Sequence, residues 1–246
     1  MAKSSTRKTK AKSKEKPKAP LWKRPFIWLR KWVLRLGLAA TAILLLWIAL
    51  YIVVNPPTTV YIISEKNRLG SIDREWVPID EVTPFLPRSI VAAEDANFCN
   101  HWGFDMGAIR DAIEDGSNRG ASTLTQQVVK NTFLWHGRSW VRKGLEALIT
   151  PVVEIVWSKR RILEVYLNVA EFDEGVFGVD AAAHHYFGVS PKDLTATQSA
   201  RLAAILPNPK GRSAKNPSSF VRKRSSSIRD GAATIRNDGR ASCFDS

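Results

Sequence analysis

The sequence predicts a mainly α-helical protein in which a helical body follows one membrane-spanning helix. Three observations carry that prediction. Residues 36–54 (LGLAATAILLLWIALYIVV) hold no charge over a length that crosses the hydrocarbon core of a bilayer. From Pro87 onward, apolar residues recur mainly at helical spacing. No stretch alternates apolar and polar residues for long enough to build a sheet-based domain, and no internal repeat is visible.

Charge divides the chain. Its 246 residues carry a net +14. Residues 1–35 hold 13 Lys or Arg and only Glu15 on the acidic side, so they contribute +12, and the other 24 basic and 22 acidic residues nearly cancel. A nucleic-acid-binding body is expected to keep its basic excess in the folded part. Here the excess lies in a tail, so no nucleic-acid partner is indicated. Basic residues beside a span stay in the cytoplasm, which predicts a cytoplasmic N-terminus and an exported body. Trp32, Trp47 and Tyr51 lie near the ends or in the outer half of the stretch, where amphipathic rings sit at the headgroups. A cleaved signal peptide would show a shorter apolar region and a small-x-small site, which Val53, Val54, Asn55 and Pro56 do not supply.

The expected organisation is a basic tail at 1–35, disordered over its first 20 residues, a transmembrane helix at 36–54, a body at 60–220 and a poorly ordered tail at 221–246. Asn55–Thr59, with two prolines, marks the exit from the span. Tyr61–Ile63 and Trp76–Ile79 read as short strands or extended arms. Helices are expected at Ser89–Ala96, Met106–Glu114, Ser122–Asn131 (after a break at Gly116 and Gly120), Val141–Trp157, Arg161–Ala170, Asp180–Tyr186 and Thr195–Leu206. The last has Thr195 as cap and Gln198 three residues on. In the tail, Ser225–Ser227, Gly231, Asn237–Gly239 and Ser242–Ser246 interrupt any helical period. Cys99 and Cys243 are too few for a disulfide framework and are expected as unpaired thiols.

Four segments hold residues suited to chemistry. In AAEDANFCNHWGFD, Glu94 follows an apolar helical segment, and a glutamate in an apolar cleft gains a raised pKa and becomes a proton carrier. His101 reads as a structural hydrogen-bonder, and adjacent His184 and His185 cannot both reach one ion from a helix. In GASTLTQQVVKNTFL, Ser122 or Thr123 can cap a helix whose free N–H groups face a ligand. Gln126 and Gln127 offer amides to sugar hydroxyls, and Lys130 lies one turn beyond Gln126. In RSWVRKGLEAL, Arg138, Arg142 and Lys143 gather positive charge, with Glu146 on the same face as Arg142. The bland reading is a surface ion pair; the functional one is a phosphate clamp oriented by a carboxylate. KRRILEVYLNVAEF reads as a packing helix.

Taken in order, the segments are E-D-x-x-F-x-x-H-x-G at Glu94–Gly103, G-x-S-T-x-x-Q-Q at Gly120–Gln127, R-K-x-x-E at Arg142–Glu146 and K-x-x-I-L-E-x-Y-L-N at Lys159–Asn168. In this order and spacing they resemble the signature blocks of the peptidoglycan glycosyltransferase family, in its monofunctional form. The similarity covers residues 60–220 and includes GVFGVDAAAHHYFG and RLAAILPNPK. One departure stands out: past NPSSFVRKR the sequence reads like an altered or frameshifted end.

The resemblance implies a lysozyme-like helical fold with a head and a smaller jaw that dips into the membrane. It implies that lipid II is polymerised into β-1,4 glycan, with release of undecaprenyl pyrophosphate. Glu94 maps to the catalytic base and Glu146 to the second essential carboxylate. Lys130, Arg138, Arg142 and Lys143 map to phosphate-binding positions; Ser122, Gln126 and Gln127 complete the expected substrate contacts. No cofactor is implied as required; magnesium or manganese assists some members, and the metal residues here stay unknown. Expected partners are lipid II, the growing glycan, the bilayer and other proteins of cell-wall synthesis or division. The expected location is the bacterial inner membrane, single-pass, with the catalytic domain in the periplasm. Phe133, Leu134, Trp135 and Trp140 form an apolar cluster, either core or membrane-dipping. Two rivals remain: a hydrolytic lysozyme-like or lytic enzyme, which would use its glutamate as general acid and need no cluster of cations, and a non-catalytic scaffold.

Overall fold

The computed structural model describes residues 24–114, 122–137 and 139–245. Disorder over the first 20 residues and the break at Gly116 and Gly120 lie outside the described residues. Two compact units divide at Trp47–Ile48. The first is most of α1 (Arg24–Leu50), a helix of 27 residues. Its segment Phe26–Leu50 is long and apolar enough to cross a membrane. The helix begins and ends earlier than the uncharged stretch 36–54. Arg30, Lys31 and Arg35 are good helix formers and do not interrupt it, while residues 51–53 already turn ahead of Pro56.

In the second unit, the strand or arm expected at Tyr61–Ile63 is instead the first turn of α2 (Val60–Leu69). Thr59 caps it, accepting from Ile62 N at 3.2 Å, and Gly70 ends it at φ +83°. A short apolar run has no decisive period of its own, so the cap settles the matter. Trp76–Pro78 is an extended arm leading to a 3-10 turn at Ile79–Glu81. The Asn168 side chain serves it as a strand partner would: Oδ1 accepts from Val77 N (2.8 Å) and Nδ2 donates to Val77 O (2.9 Å).

The remaining helices lie close to their expected positions: α3 (Phe85–Glu94), α4 (Met106–Glu114), α5 (Leu124–Phe133), α6 (Trp140–Val156), α7 (Lys159–Val169), α8 (Gly178–Phe187) and α9 (Ala196–Ile205). Helix α9 has the expected capping box between Thr195 and Gln198. Between α7 and α8 a short antiparallel hairpin pairs β1 (Glu171–Asp173) with β2 (Val176–Phe177). Its strands are too short for alternation to announce them. Helix α7 is the spine of the core, with Ile162, Leu163, Val165, Tyr166, Leu167, Asn168 and Val169 all buried. Helix α5 packs on both α6 and α7.

The C-terminal region corrects two expectations. The expected poorly ordered tail at 221–246 is, over its described residues 221–245, ordered: Ser219–Asn237 is a helix, α10, capped by Ser218, which packs on α3 and α9. Its buried face is Val221, Ser225, Ile228, Ala232 and Ile235, a regular helical stripe. Serine and alanine occupy two of the five positions, and the exposed serines beside them hide the period. Nor are the cysteines free: Cys99 and Cys243 form a disulfide, with Cα atoms 5.6 Å apart, across 144 residues of sequence. Phe244 packs near Phe98 (6.3 Å between rings), and Asp245 pairs with Arg88. A two-cysteine chain offers no spacing pattern to reveal such a link.

Closing so long a loop restricts the unfolded chain, so Cys243→Ser is expected to lower unfolding stability by about 2–4 kcal/mol. Urea unfolding of the detergent-solubilised protein measures this. A reducing agent should destabilise the parent alike and leave the variant unchanged.

Candidate active site

The site begins with two adjacent carboxylates that differ in use. Asp95, just past α3, is buried and fully engaged. Its Oδ2 accepts from Leu124 N (3.0 Å), at the start of α5, and its Oδ1 lies 2.8 Å from His101 Nε2. His101 is thus the structural hydrogen-bonder expected. Glu94, the last residue of α3, accepts from Gln127 Nε2 (3.0 Å) through Oε2, and Tyr166 OH donates to Gln127 Oε1 (3.3 Å). A chain of side chains from α7 through α5 therefore orients Glu94. Burial raises the Glu94 pKa above the usual carboxylate range, opposed by the Gln127 hydrogen bond and by the positive charges of Arg224 and Lys130.

Thr123 caps α5 and forms a capping box with Gln126, whose Oε1 accepts from Thr123 N (3.0 Å). Gln126 is buried, with its side-chain oxygen serving as the capping acceptor. Gln127 and Lys130, three residues apart, share the face toward the cleft. Lys130 has its pKa lowered, first by burial; Glu146 and Glu94 oppose the fall, and Arg142 and Lys143 deepen it.

Glu146, only 2% exposed, forms ion pairs with Arg142 (2.8 Å) and Lys143. Lys143 also donates to Ser122 Oγ (3.1 Å), and Arg142 Nε to Gly137 O (2.9 Å). The spacing of R-K-x-x-E thus places two cations on one buried carboxylate from a single turn of α6. Arg138 lies outside the described residues. The Lys159 side chain, from the fourth block, donates to Glu154 (2.9 Å) and to His101 O (2.7 Å), tying that block to the first.

Two cavities flank the Glu94–Gln127 hydrogen bond. One of about 460 Å³ is lined by Glu94, Asn97, Asp105, Ser122 and Thr123. The other, about 420 Å³, is lined by Gln127, Lys130, His136, Tyr166, Tyr61 and Lys210. His136 stacks on Tyr61 with ring centroids 3.5 Å apart, and burial, with Lys130 and Arg142 nearby, lowers its pKa to about 4. It is therefore neutral at physiological pH. Among the described residues no three His, Cys, Asp or Glu side chains gather to hold a metal ion. Tyr166, taken in the sequence as packing, and His136, Tyr61 and Lys210 join this site without a sequence signal of their own.

The apolar cluster divides. Phe133 and Leu134 are buried, while Trp135 and Trp140 are exposed. Trp140 continues into Val141, Leu148 and Ile155, exposed at seven-residue intervals along α6.

A helical body with a desolvated glutamate between two cavities, and a row of cations beside it, defines an enzyme of glycosyl transfer. The model of the transglycosylase family matches residues 63–232, and the chain belongs to that family. Among curated relatives, the biosynthetic peptidoglycan transglycosylase of a Jannaschia species is 63% identical over 216 residues, covering 88% of this chain and 90% of the relative. Proteins of the same name from Pseudomonas fluorescens and Caulobacter vibrioides are 49% and 45% identical, over 79% and 87% of this chain and 85% and 96% of theirs. The fold class is thus the mainly α, lysozyme-like one expected. The family match ends at residue 232, within α10 and eight residues beyond NPSSFVRKR.

Gly103 links three parts of the site. It adopts φ +82°, its carbonyl accepts from Thr123 Oγ1 (2.7 Å), and an added Cβ would stand 2.5 Å from Thr150 Cγ2 on α6. Gly103→Ala is expected to destabilise the protein by about 2–3 kcal/mol through strain and overpacking. Chemical denaturation reads the loss.

Proposed function

We propose that this chain is a membrane-bound peptidoglycan glycosyltransferase that polymerises lipid II into β-1,4-linked glycan and releases undecaprenyl pyrophosphate. The observation that carries the reading is Glu94, desolvated and lining one cavity while its hydrogen-bond partner Gln127 lines a second with Lys130, and the Arg142–Lys143–Glu146 group lies nearby. A polymerase must hold two saccharides at once, one on each side of its base.

Glu94 is the general base. The acceptor 4-hydroxyl gives its proton to the carboxylate as its oxygen bonds to the donor anomeric carbon. The bond from that carbon to the pyrophosphate oxygen breaks, and the electron pair leaves with the pyrophosphate. Displacement from the opposite face turns an α-linked donor into a β-glycoside. The leaving group needs its charge neutralised more than it needs a proton, and preorganised cations do that. Lys130, Arg138, Arg142 and Lys143 fill this role, and Glu146 holds Arg142 and Lys143 in place. A hydrolase acting on a sugar leaving group has no use for such a cluster. Among the described residues the side chains name no ligand set for a divalent cation, and no step is assigned to one.

The basic residues of segment 1–35 support a cytoplasmic N-terminus and a periplasmic body at the inner membrane. The Cys99–Cys243 disulfide supports export, since such bonds persist in oxidising compartments. The outer face of α6, with Trp140 at 92% exposed and Leu148 and Ile155 each at 72%, is the part that dips into the bilayer.

Glu94→Gln is expected to reduce polymerisation of labelled lipid II by at least about a hundredfold without loss of fold; a product gel showing activity within threefold of the parent would remove Glu94 from the base role. The parent's kcat/KM should fall as pH drops through the raised Glu94 pKa, because protonation removes the base. Lys130→Ala should weaken use of the donor by roughly 1.5–3 kcal/mol, read as kcat/KM. Replacing Val141 and Leu148 by Ser should loosen liposome binding of a protein lacking residues 1–47 while changing its stability by less than about 1 kcal/mol. Flotation unaffected by the change would assign this face another role.

A further inference from the structure

Helix α10 lies against α3, the helix that ends in Glu94. Gly231 faces Ala92 so closely that an added Cβ would stand 3.5 Å from the Ala92 methyl. Arg224 precedes Gly231 by seven residues, two helical turns, and therefore shares the face that meets α3. Its Nε is shut off from solvent and has no hydrogen-bond partner among the described residues. A buried donor left unpaired is costly, and such groups in native proteins usually serve a purpose.

The groups around Glu94 show where that charge is felt. From α5 come the Gln127 hydrogen bond and the Lys130 charge, and Asp95 adds a negative charge beside it. The hydroxyl of Tyr166, from α7, feels Glu94 in turn. From α10 comes Arg224, acting in the same sense as Lys130 and opposing the effect of burial. The two cations differ in what happens to them during turnover. A pyrophosphate bound at Lys130 covers its charge and adds negative charge near the base. Arg224 comes from a different helix and lines neither of the two cavities.

We propose that Arg224 is a positioning residue of this site, through which the C-terminal helix α10 presents a fixed positive charge to the Glu94 carboxylate. The inference rests on Glu94 acting as the base. Its consequence is that α10 sets the pH range over which the enzyme works, although the helix contributes no group that touches the reacting atoms.

The test is the pH dependence of lipid II polymerisation by the full chain in detergent. Arg224→Gln should move the acid limb of kcat/KM to higher pH by at least about half a unit, roughly a threefold loss on the limb, because a nearby cation favours the charged carboxylate. The plateau at high pH should stay within twofold of the parent. Arg224→Lys, which keeps the charge, should restore the limb. A lowered plateau with an unmoved limb indicates a substrate contact or a structural role and overturns the proposal. Should the glutamine variant fail to fold, Arg224→Met keeps the packed stem and reads the same limb; if neither neutral variant folds while the lysine variant does, the need for Arg224 is structural and the proposal falls. A parent enzyme without any acid limb instead fails the reading of Glu94 as base.

Discussion

The arrangement of the site depends on one buried carboxylate whose oxygens are both committed within the protein. The opening N–H groups of a helix have no partner inside it, and Asp95 supplies one to Leu124 at the start of α5. The same carboxylate holds His101, and with it the loop that returns to Gly103. A charge-assisted bond in a buried place is stronger than a neutral one, so the end of α3 and the beginning of α5 are joined firmly. Glu94 lies one residue before this joint and Gln127 three residues after it. Their 3.0 Å contact is inherited from the Asp95 bond. Adjacent acidic residues thus divide the work: one fixes the geometry and the other faces the cleft.

The cations are organised by the same principle. Glu146 engages Arg142 and Lys143, and its own carbonyl accepts from Thr150 (2.7 Å), on the turn that meets Gly103. A buried carboxylate with two cations is held in one geometry, since any departure would leave charge unpaired in a dry place. Lys130 is treated differently. Burial and the neighbouring positive groups weaken its hold on its proton. A cation in that condition gains most when an anion arrives.

Much of this was legible in the sequence, and the failures have physical reasons. Helices α6 and α7 were plain because amphipathic periods mark them, and the structure adds serine caps at Ser139 and Ser158. The Glu94, Gln127, Lys130 and Glu146 neighbourhood was legible only through the resemblance and the ordered motifs, since each segment alone reads as a capped or salt-bridged helix. The capping role of Gln126 was not read in the sequence, because capping and sugar contact ask for the same amide. Helix α10 was missed because small and hydroxylic side chains line much of its packed face, where close approach to α3 rather than bulk fills the space. Leu134 and Trp135, adjacent in sequence, part into core and surface. Asn168 was taken for a packing-helix residue because nothing in one dimension shows a side chain replacing a strand.

The link from Cys99 to Cys243 bears on how the molecule comes into being. It closes a loop that contains α4 to α10, and the helix leading into it covers α3, the element that carries Glu94. Domains fold as units, and a growing chain emerges at about 5–20 residues per second. During that interval α3 lacks α10, one of the two helices, α9 and α10, that pack on it. Helix α3 therefore gains its full cover only after α10 has docked.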